Sequence, residues 1–226
     1  TGAAVESSNV PGVAIGERLA QGVTRVLGFE SIRTDRPHDD DLVPAIDRLM
    51  KRLMIAPREL TRLAVSVGPG GFTGLRVGIS SAQLIAEAIG ARCVAVPSAH
   101  VVARRTITAP GAPEGSFAVA LASKGLDAHV TVFDANAVPL GPGRVMDAAE
   151  VARLPRISSL VADRFLPDAI ARALAARGVL IVAPRFDPAC CFEASLGLRE
   201  VDPTELLPIY PREPEAVRKW RELHRR

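Results

Sequence analysis

A glycine-rich stretch near the middle of the chain has the residue types needed to bind an anion. A loop between a parallel strand and a helix can bring backbone N–H groups close to a ligand at the positive end of the helix dipole. The loop lacks the Lys-Ser/Thr pair of NTPase phosphate loops, and Thr73 stands where a dinucleotide fingerprint has its third glycine. A tight turn in which Thr73 caps the helix is the competing hypothesis. The candidate phosphate ligands are Gly68, Gly70, Gly71, Thr73 and Gly74.

The elements around this loop form a predicted strand–helix–strand unit. The apolar, β-branched run 63–67 indicates a buried strand, and apolar residues recur at helical spacing over 75–89 before Gly90 ends the pattern. A second strand follows at 93–96. Because the two strands are separated by a helix, we expect a right-handed parallel βαβ unit. Residues 98–108 then predict a further helix, with Ser98 as its N-cap.

Upstream of the loop, three apolar runs at 3–5, 10–16 and 23–29 predict an antiparallel meander that shares a sheet with this unit. Glu6-Ser7-Ser8 closes the first run. His38 and three aspartates at 39–41 precede a strong helix predicted over Leu42–Met54. Adjacent side chains at a helix start diverge, so we interpret the aspartates as caps and not as a metal cluster.

The helices predicted at 42–54 and 75–89 both carry apolar or small residues on more than one face. A stripe this wide exceeds what one face of a sheet covers. Two interpretations stay open: both helices are well buried, or their outer faces dock a partner. The candidate docking residues are Leu42, Val43, Ile46, Met50, Met54, Val77, Ser81, Leu84 and Ala88.

The second half of the chain predicts a smaller α/β lobe. The segment 109–115, rich in proline and glycine, reads as a linker, so we predict lobes at 1–109 and 110–226. Strands are expected at 117–121, 129–133, 158–161 and 179–182, and helices at 147–150, 167–177 and 192–198, the first with an Asp147/Glu150 capping box. The basic tail after 215 suits a solvated helix anchored by Trp220, or a helix that contacts RNA.

Composition excludes several classes of protein. The 226 residues are 48% hydrophobic, enough for a packed core, yet no apolar run is long enough for a membrane span and no signal-peptide pattern is present, so we expect a cytoplasmic protein. Cys93, Cys190 and Cys191 are expected to be buried thiols. The four scattered histidines do not suggest a metal site. The net charge of +3 comes from the last fifteen residues.

Two motifs carry a resemblance to a known family. The run from Gly68 to Gly78, Gly-Pro-Gly-Gly-Phe-Thr-Gly-Leu-Arg-Val-Gly, resembles the Gly-Pro-Gly-Ser-Phe-Thr-Gly-Leu-Arg-Ile-Gly signature of the TsaB (YeaZ) family. The run from Pro208 to Ala216 resembles the family's Pro-Leu-Tyr-x-Arg-x-Pro-x-Ala sequence. Gly71 replaces the family's serine, and the segment 122–124 and His129 depart from its usual Asp-Ala-Arg and tyrosine. The matched motif residues are Gly68, Pro69, Gly70, Phe72, Thr73, Gly74, Arg76, Tyr210 and Arg212.

The resemblance implies an α/β, actin/Hsp70-like (ribonuclease H-like) fold of two lobes. It implies a non-catalytic partner of a TsaD-like protein, related to glycoprotease-like proteins, in forming N6-threonylcarbamoyladenosine at position 37 of tRNA. The helix pair would make a four-helix contact with TsaD or with a second copy. A TsaE-like ATPase would be a further partner, tRNA would be contacted indirectly, and no membrane would be involved. No cofactor is expected on this chain alone, and ATP only at a partner interface.

The residues themselves offer no recognisable catalytic set, because the paired histidines of TsaD-type enzymes and any nucleophile elbow are missing. Two alternatives remain. An actin-like phosphotransferase would use the glycine loop on phosphate and Glu6 on magnesium. A glycoprotease-like peptidase would need a metal or a nucleophile that the sequence does not show.

Overall fold

The N-terminal strands form a mixed sheet around a central first strand. The structure, a computed structural model, describes residues 1–6, 11–19, 24–32, 42–212, 220–221 and 223–224. The strands of this sheet are β1 (Gly2–Glu6), β2 (Gly12–Arg18), β3 (Thr24–Ser31), β4 (Arg62–Gly68) and β5 (Arg92–Pro97). Their order is β3-β2-β1-β4-β5. The β1–β2 and β2–β3 pairs are antiparallel, and the β1–β4 and β4–β5 pairs are parallel. The predicted meander and βαβ unit are therefore confirmed.

The second sheet repeats the topology of the first. Its strands are β6 (Phe117–Lys124), β7 (Asp127–Phe133), β8 (Arg144–Asp147), β9 (Ser159–Ala162) and β10 (Leu180–Val182), in the order β10-β9-β6-β7-β8. Here β6 takes the place of β1: it pairs antiparallel with β7 and parallel with β9. The predicted α/β fold of two lobes, with mixed sheets flanked by helices, is confirmed. Strand β8 had not been predicted, because its sequence Arg-Val-Met-Asp has only two apolar residues between two charged ones and so shows no apolar run.

Helices cover both faces of the first sheet. The helices of the described residues are α1 (Leu42–Leu53), α2 (Phe72–Ile89), α3 (Ser98–Ile107), α4 (Ala148–Ala152), α5 (Asp168–Ala175) and α6 (Pro188–Ala194). Residues alternate across a strand, so Ala3 and Val5 pack with α1 and α2, whereas Ala4 packs with α3 and α6. Helix α3 also packs on the second sheet, against Phe117 and Phe133. It therefore lies between the two sheets.

The helix ends correct several predictions. Helix α2 starts at Phe72 with Gly71 as N-cap, so Thr73 lies inside the first turn and the prediction that it caps the helix is wrong. Ser98 is likewise the first helical residue and not the cap. Gly90 does end α2, in the left-handed conformation with φ 75°. The Asp147/Glu150 capping box is confirmed at the start of α4.

Helix α6 begins four residues before the predicted helix at 192–198. Asp187 is its N-cap and accepts a hydrogen bond from the Ala189 backbone N–H at 2.9 Å, and Pro188 holds the first helical position. The Asp-Pro pair is a recognised start signal that the prediction did not use. Residues 195–197 continue as a 3-10 turn.

The chain after residue 187 returns to the first sheet. Cys191 and Phe192 of α6 are buried against the first sheet in a cluster that includes Ala4 and Ala64. Further on, Val201 pairs with Cys93 through backbone hydrogen bonds of 2.8 and 3.1 Å. The chain leaves the first sheet after β5 and enters the second at β6, with residue 110 between α3 and β6. The C-terminal segment nevertheless completes the first lobe, so that lobe is built from two separate parts of the chain.

Beyond this, the chain crosses to the second sheet and ties the two together. The Ile209 N–H donates to the Val67 carbonyl at 2.7 Å at the end of β4. Three residues later, Arg212 donates to the Ala122 and Asp127 carbonyls and forms an ion pair with the Asp127 carboxylate. Desolvation lowers the pKa of Arg212 from its ordinary value. We call residues 206–212, which span both sheets, the C-terminal strap.

Several sequence-based predictions fall outside the described residues. These are Ser7 and Ser8, His38 with its neighbouring aspartates, and most of the basic tail, including the end of the second motif. In the tail, the Trp220 and His224 rings stack with centroids 4.5 Å apart. No helix in the described part of the chain is both long and apolar enough to cross a bilayer.

The packing of α6 on β2 can be tested with Gly16→Ala. A methyl group there would lie 2.6 Å from the Phe192 ring and 2.9 Å from the Arg25 carbonyl, and the carbonyl belongs to a paired strand that cannot easily shift. We expect a loss of about 1–3 kcal/mol in the free energy of unfolding, measured with urea. Gly197→Ala is the control, because nothing lies within 4 Å of its added methyl. If both variants unfold at the same urea concentration, α6 does not pack there.

The strap can be tested with Arg212→Met. The change removes the ion pair and two carbonyl hydrogen bonds, so we expect faster amide exchange in the β6–β7 hairpin and a stability loss of about 1–2 kcal/mol for this partly exposed group. Hydrogen exchange with mass spectrometry measures the first effect. Arg144→Met serves as the control, because it breaks an exposed ion pair between Arg144 of β8 and Glu150 of α4. Unchanged exchange in residues 121–128 of the Arg212 variant would contradict the role of the strap.

Candidate functional site

The glycine loop joins the end of β4 to the start of α2. Gly68 has φ 104°, which favours glycine, and its bond to Pro69 is cis. A side chain at Gly68 would place its Cβ 3.0 Å from the Ile209 carbonyl and 3.0 Å from Leu75 Cδ1. The missing side chain at Gly68 therefore leaves room for the C-terminal strap to pack against the loop. Phosphate binding by Gly68, Gly70, Gly71, Thr73 and Gly74 stays a prediction.

The two sequence motifs meet at the first turns of α2. The Tyr210 ring lies 5.5 Å from the Phe72 ring, centroid to centroid, and the Arg76 guanidinium lies 3.9 Å above the centre of the Phe72 ring. Arg76 Nε also donates to the Tyr210 hydroxyl at 3.4 Å. One turn of helix separates residues 72 and 76, which the sequence could indicate. The contact with Tyr210, distant in sequence, could not be inferred from either motif.

The rest of α2 is fixed to the strap by a glutamine. Gln83 Nε2 donates to the Pro203 carbonyl at 2.9 Å and to the Leu206 carbonyl at 3.2 Å. Leu206 is fully buried against the first core, whereas its neighbour Leu207 is 68% exposed. A groove of about 320 Å³ runs between α2 and the strap. Its lining residues include Arg76, Ile79, Ser80, Gln83, Leu207 and Tyr210.

The docking residues predicted on α1 and α2 fall into two groups. Leu42, Ile46 and Met50 are only 5–7% exposed and belong to the first core. They pack inward on the sheet, so the surface predicted from the sequence was too wide. The other predicted residues are exposed or half-buried; among them, Val77 also packs against the core, and Met54 directly follows the end of α1. We call this group the helix-pair surface: Val43, Met54, Val77, Ser81, Leu84 and Ala88.

The helix-pair surface is apolar and largely accessible. Leu84 is 67% exposed, Met54 91% and Val43 50%, and Ala88 is also exposed. Val77 and Ser81 are half-buried. Residues 77, 81, 84 and 88 are spaced by three or four positions, so they form one stripe along α2. The stripe offers small and apolar groups without a covering element among the described residues.

The cysteines are not activated nucleophiles. All three are buried, as predicted. Burial raises the pKa of Cys93 to about 11 and that of Cys190 to about 12, and it raises the pKa of Cys191 as well. A raised pKa keeps the thiol protonated near neutral pH, and the thiol is a poor nucleophile. Within the described ranges, no three His, Cys, Asp or Glu residues lie together as metal ligands would.

Other polar groups near the loop are enclosed by protein. Glu6, the magnesium ligand that a phosphotransferase would need, is fully buried at the end of β1. The Ser66 and Ser98 hydroxyls lie 2.9 Å apart inside the core. The segment 122–124, which departs from the family pattern, forms an irregularity in β6 in which Ala122 has φ 52° and its carbonyl accepts from Arg212. These groups hold the fold and present no open reaction site.

Three comparisons with known proteins agree with this arrangement. A family model described as "TsaD: tRNA N6-adenosine threonylcarbamoyltransferase" matches residues 19–160. The tRNA threonylcarbamoyladenosine biosynthesis protein TsaB of Bacillus subtilis (strain 168) is 32% identical over 66 residues. That match spans 29% of this chain and 29% of the length of the Bacillus protein.

Two solved structures share the fold. YeaZ from Pseudomonas aeruginosa superposes with a TM-score of 0.69 and 20% identity, covering 92% of this chain and 98% of that one. An uncharacterised Pseudomonas aeruginosa protein with similarity to the peptidase YeaZ gives a TM-score of 0.69 and 18% identity, covering 93% and 98%. The family model matches more than half of the chain, and the glycine motif, the TsaB match and the fold point to one group within it. The chain belongs to the TsaD family of the matching model, as a member of its TsaB (YeaZ) group.

Proposed function

We propose that this protein is a non-catalytic partner that binds and stabilises a TsaD-like catalytic subunit. Its family works in the biosynthesis of threonylcarbamoyladenosine in tRNA. The observation that carries the proposal is the helix-pair surface, where Leu84 of α2 and Met54, directly after the end of α1, remain 67% and 91% exposed beside a well-packed core. Exposed apolar groups of this kind mark interaction sites.

The composition of the stripe on α2 suits a helix from another protein. Ser81 and Ala88 are small, so a partner helix can approach closely, and Leu84 between them supplies a side chain to insert. Burying apolar surface contributes roughly 25 cal/mol per Å² removed from water. A stable interface also needs about 1,200–2,000 Å² in total, so both α1 and α2 must take part. Two copies of this chain would associate through the same surface. The homodimer and the complex with the partner then compete, because both bury that surface.

The chemistry of the described residues supports a non-catalytic role. The buried thiols have raised pKa values, and Glu6 is enclosed, so neither offers a nucleophile or a metal ligand to a substrate. In this proposal the chain alone binds no cofactor, and ATP is held at the interface with the partner. A TsaE-like ATPase is a further member of the assembly, and tRNA is contacted through the TsaD-like subunit.

Leu84→Glu tests the helix-pair surface. A carboxylate in the centre of an apolar interface would be desolvated without a partner, so we expect the complex with the TsaD-like protein of the same organism to weaken at least about 100-fold. Sizing with light scattering measures the protein alone and mixed with that subunit. The side chain is 67% exposed, so circular dichroism and thermal unfolding should stay unchanged.

Leu140→Glu is the matched control, because Leu140 is 57% exposed next to the second sheet. We expect it to associate like the wild-type protein. If the wild-type chain and the TsaD-like subunit do not associate, the proposal is wrong. ATP turnover by the chain alone would then favour the phosphotransferase, and peptide cleavage abolished by a chelator would favour the peptidase.

A further inference from the structure

Arg76 is an exposed cation whose orientation is fixed by two aromatic residues. Its guanidinium lies 3.9 Å above the centre of the Phe72 ring, and its Nε donates to the Tyr210 hydroxyl at 3.4 Å. The Tyr210 ring in turn packs on Phe72 at 5.5 Å. Phe72 comes from the start of α2 and Tyr210 from the strap, so two elements position one side chain. An exposed arginine normally samples many rotamers, and this one is held.

The fixed cation has no acidic partner in the described part of the chain. Some exposed arginines are paired, such as Arg48 with Glu30 and Arg144 with Glu150. Arg76 has no carboxylate within ion-pair distance in those ranges; its polar contact is the phenol of Tyr210. With Nε turned to Tyr210, the remaining guanidinium N–H groups are directed away from that contact. A planar guanidinium with free donors matches a carboxylate in two-point geometry.

The surroundings of Arg76 suit a protein partner. Phe72 is 51% exposed, Leu207 68% and Tyr210 39%, so apolar and aromatic groups border the cation and the groove between α2 and the strap. Arginine and tyrosine with an apolar rim are the residue types that dominate binding energy at protein interfaces. A free small anion would gain little from this rim.

Arg76 borders the helix-pair surface on the side of α2 that faces the strap. At 3.6 residues per turn it lies about 80° around the helix from Leu84 and about 12 Å from it along the helix axis. A partner helix seated on Leu84 would reach Arg76 if it extended two further turns. The same helix would then close the groove bordered by Leu207.

We propose that Arg76, held by Phe72 and Tyr210, is the charged specificity contact of the docking surface and that it takes an Asp or Glu side chain of the TsaD-like partner. This inference rests on the proposed function. Leu84 supplies apolar area, whereas Arg76 selects the partner and its register along α2, because a charged pair penalises misaligned or wrong partners. The strap is thereby part of the interface, since Tyr210 fixes the contact.

Titration calorimetry with the TsaD-like subunit at low and high salt tests this contact. Arg76→Met keeps the length of the side chain and removes the charge, and we expect affinity to fall about 10- to 100-fold. Arg76→Lys keeps the charge but lacks the planar guanidinium, so its affinity should lie between those of the wild-type protein and Arg76→Met. The salt dependence of affinity should be weaker in Arg76→Met than in the wild-type protein. Arg164→Met is the control, because Arg164 is also exposed and stacks on an exposed phenylalanine, Phe165, at 4.8 Å in the second lobe.

The outcomes separate this inference from the proposed function. If Leu84→Glu abolishes the complex and Arg76→Met binds like the wild-type protein, the partner role stands and the inference about Arg76 is wrong. If Arg76→Met lowers thermal stability and affinity together while Arg76→Lys restores both in full, Arg76 only fastens α2 to the strap. If inorganic phosphate binds the protein alone and this binding is lost in Arg76→Met, Arg76 belongs to a site for small anions and the inference of a partner carboxylate is wrong. The inference is supported if Arg76→Met lowers the affinity for the TsaD-like subunit and weakens its salt dependence while thermal stability stays unchanged.

Discussion

The close approach of the C-terminal strap to the end of β4 is the constraint on which the candidate site depends. Gly68 has no side chain, so the Ile209 carbonyl can lie where a Cβ would be only 3.0 Å away, and Ile209 can pair with Val67. This pairing sets the next residues in place. Tyr210 then reaches Phe72 and Arg76, and Arg212 reaches the β6–β7 hairpin. The start of the glycine motif at Gly68 therefore serves contact within the protein, whereas Phe72, Thr73 and Arg76 are exposed.

The repeated sheet topology explains why one pair of helices remains exposed. In the first lobe, one face of the sheet is covered by α3 and α6, and α3 is also buried on the second sheet. The opposite face is covered by α1 and α2, beyond which no described element lies. These helices bury one side in the core and leave the helix-pair surface to solvent. An apolar face without cover is stabilised by association, and the fold itself thus supports a binding role.

The same structure accounts for the shape of the proposed interface. Apolar area at Leu84 and Met54 gives attraction without direction, because hydrophobic contacts are not directional. A guanidinium held between Phe72 and Tyr210 adds direction, since its N–H groups donate to a carboxylate in few orientations. The three thiols and Glu6, by contrast, are buried.

The sequence by itself determined the local structure and the family. Hydrophobic periods predicted nine of the strands and most helices, because the repeat of two or 3.6 residues is a local property, and two motifs identified the group. Tertiary structure alone decided which face of each helix is buried, so Leu42, Ile46 and Met50 moved from the predicted surface to the core. It also decided that residues 188–210 complete the first lobe and that Tyr210 meets Arg76. Such contacts join residues more than a hundred positions apart, and no local pattern encodes which distant partner a side chain will meet.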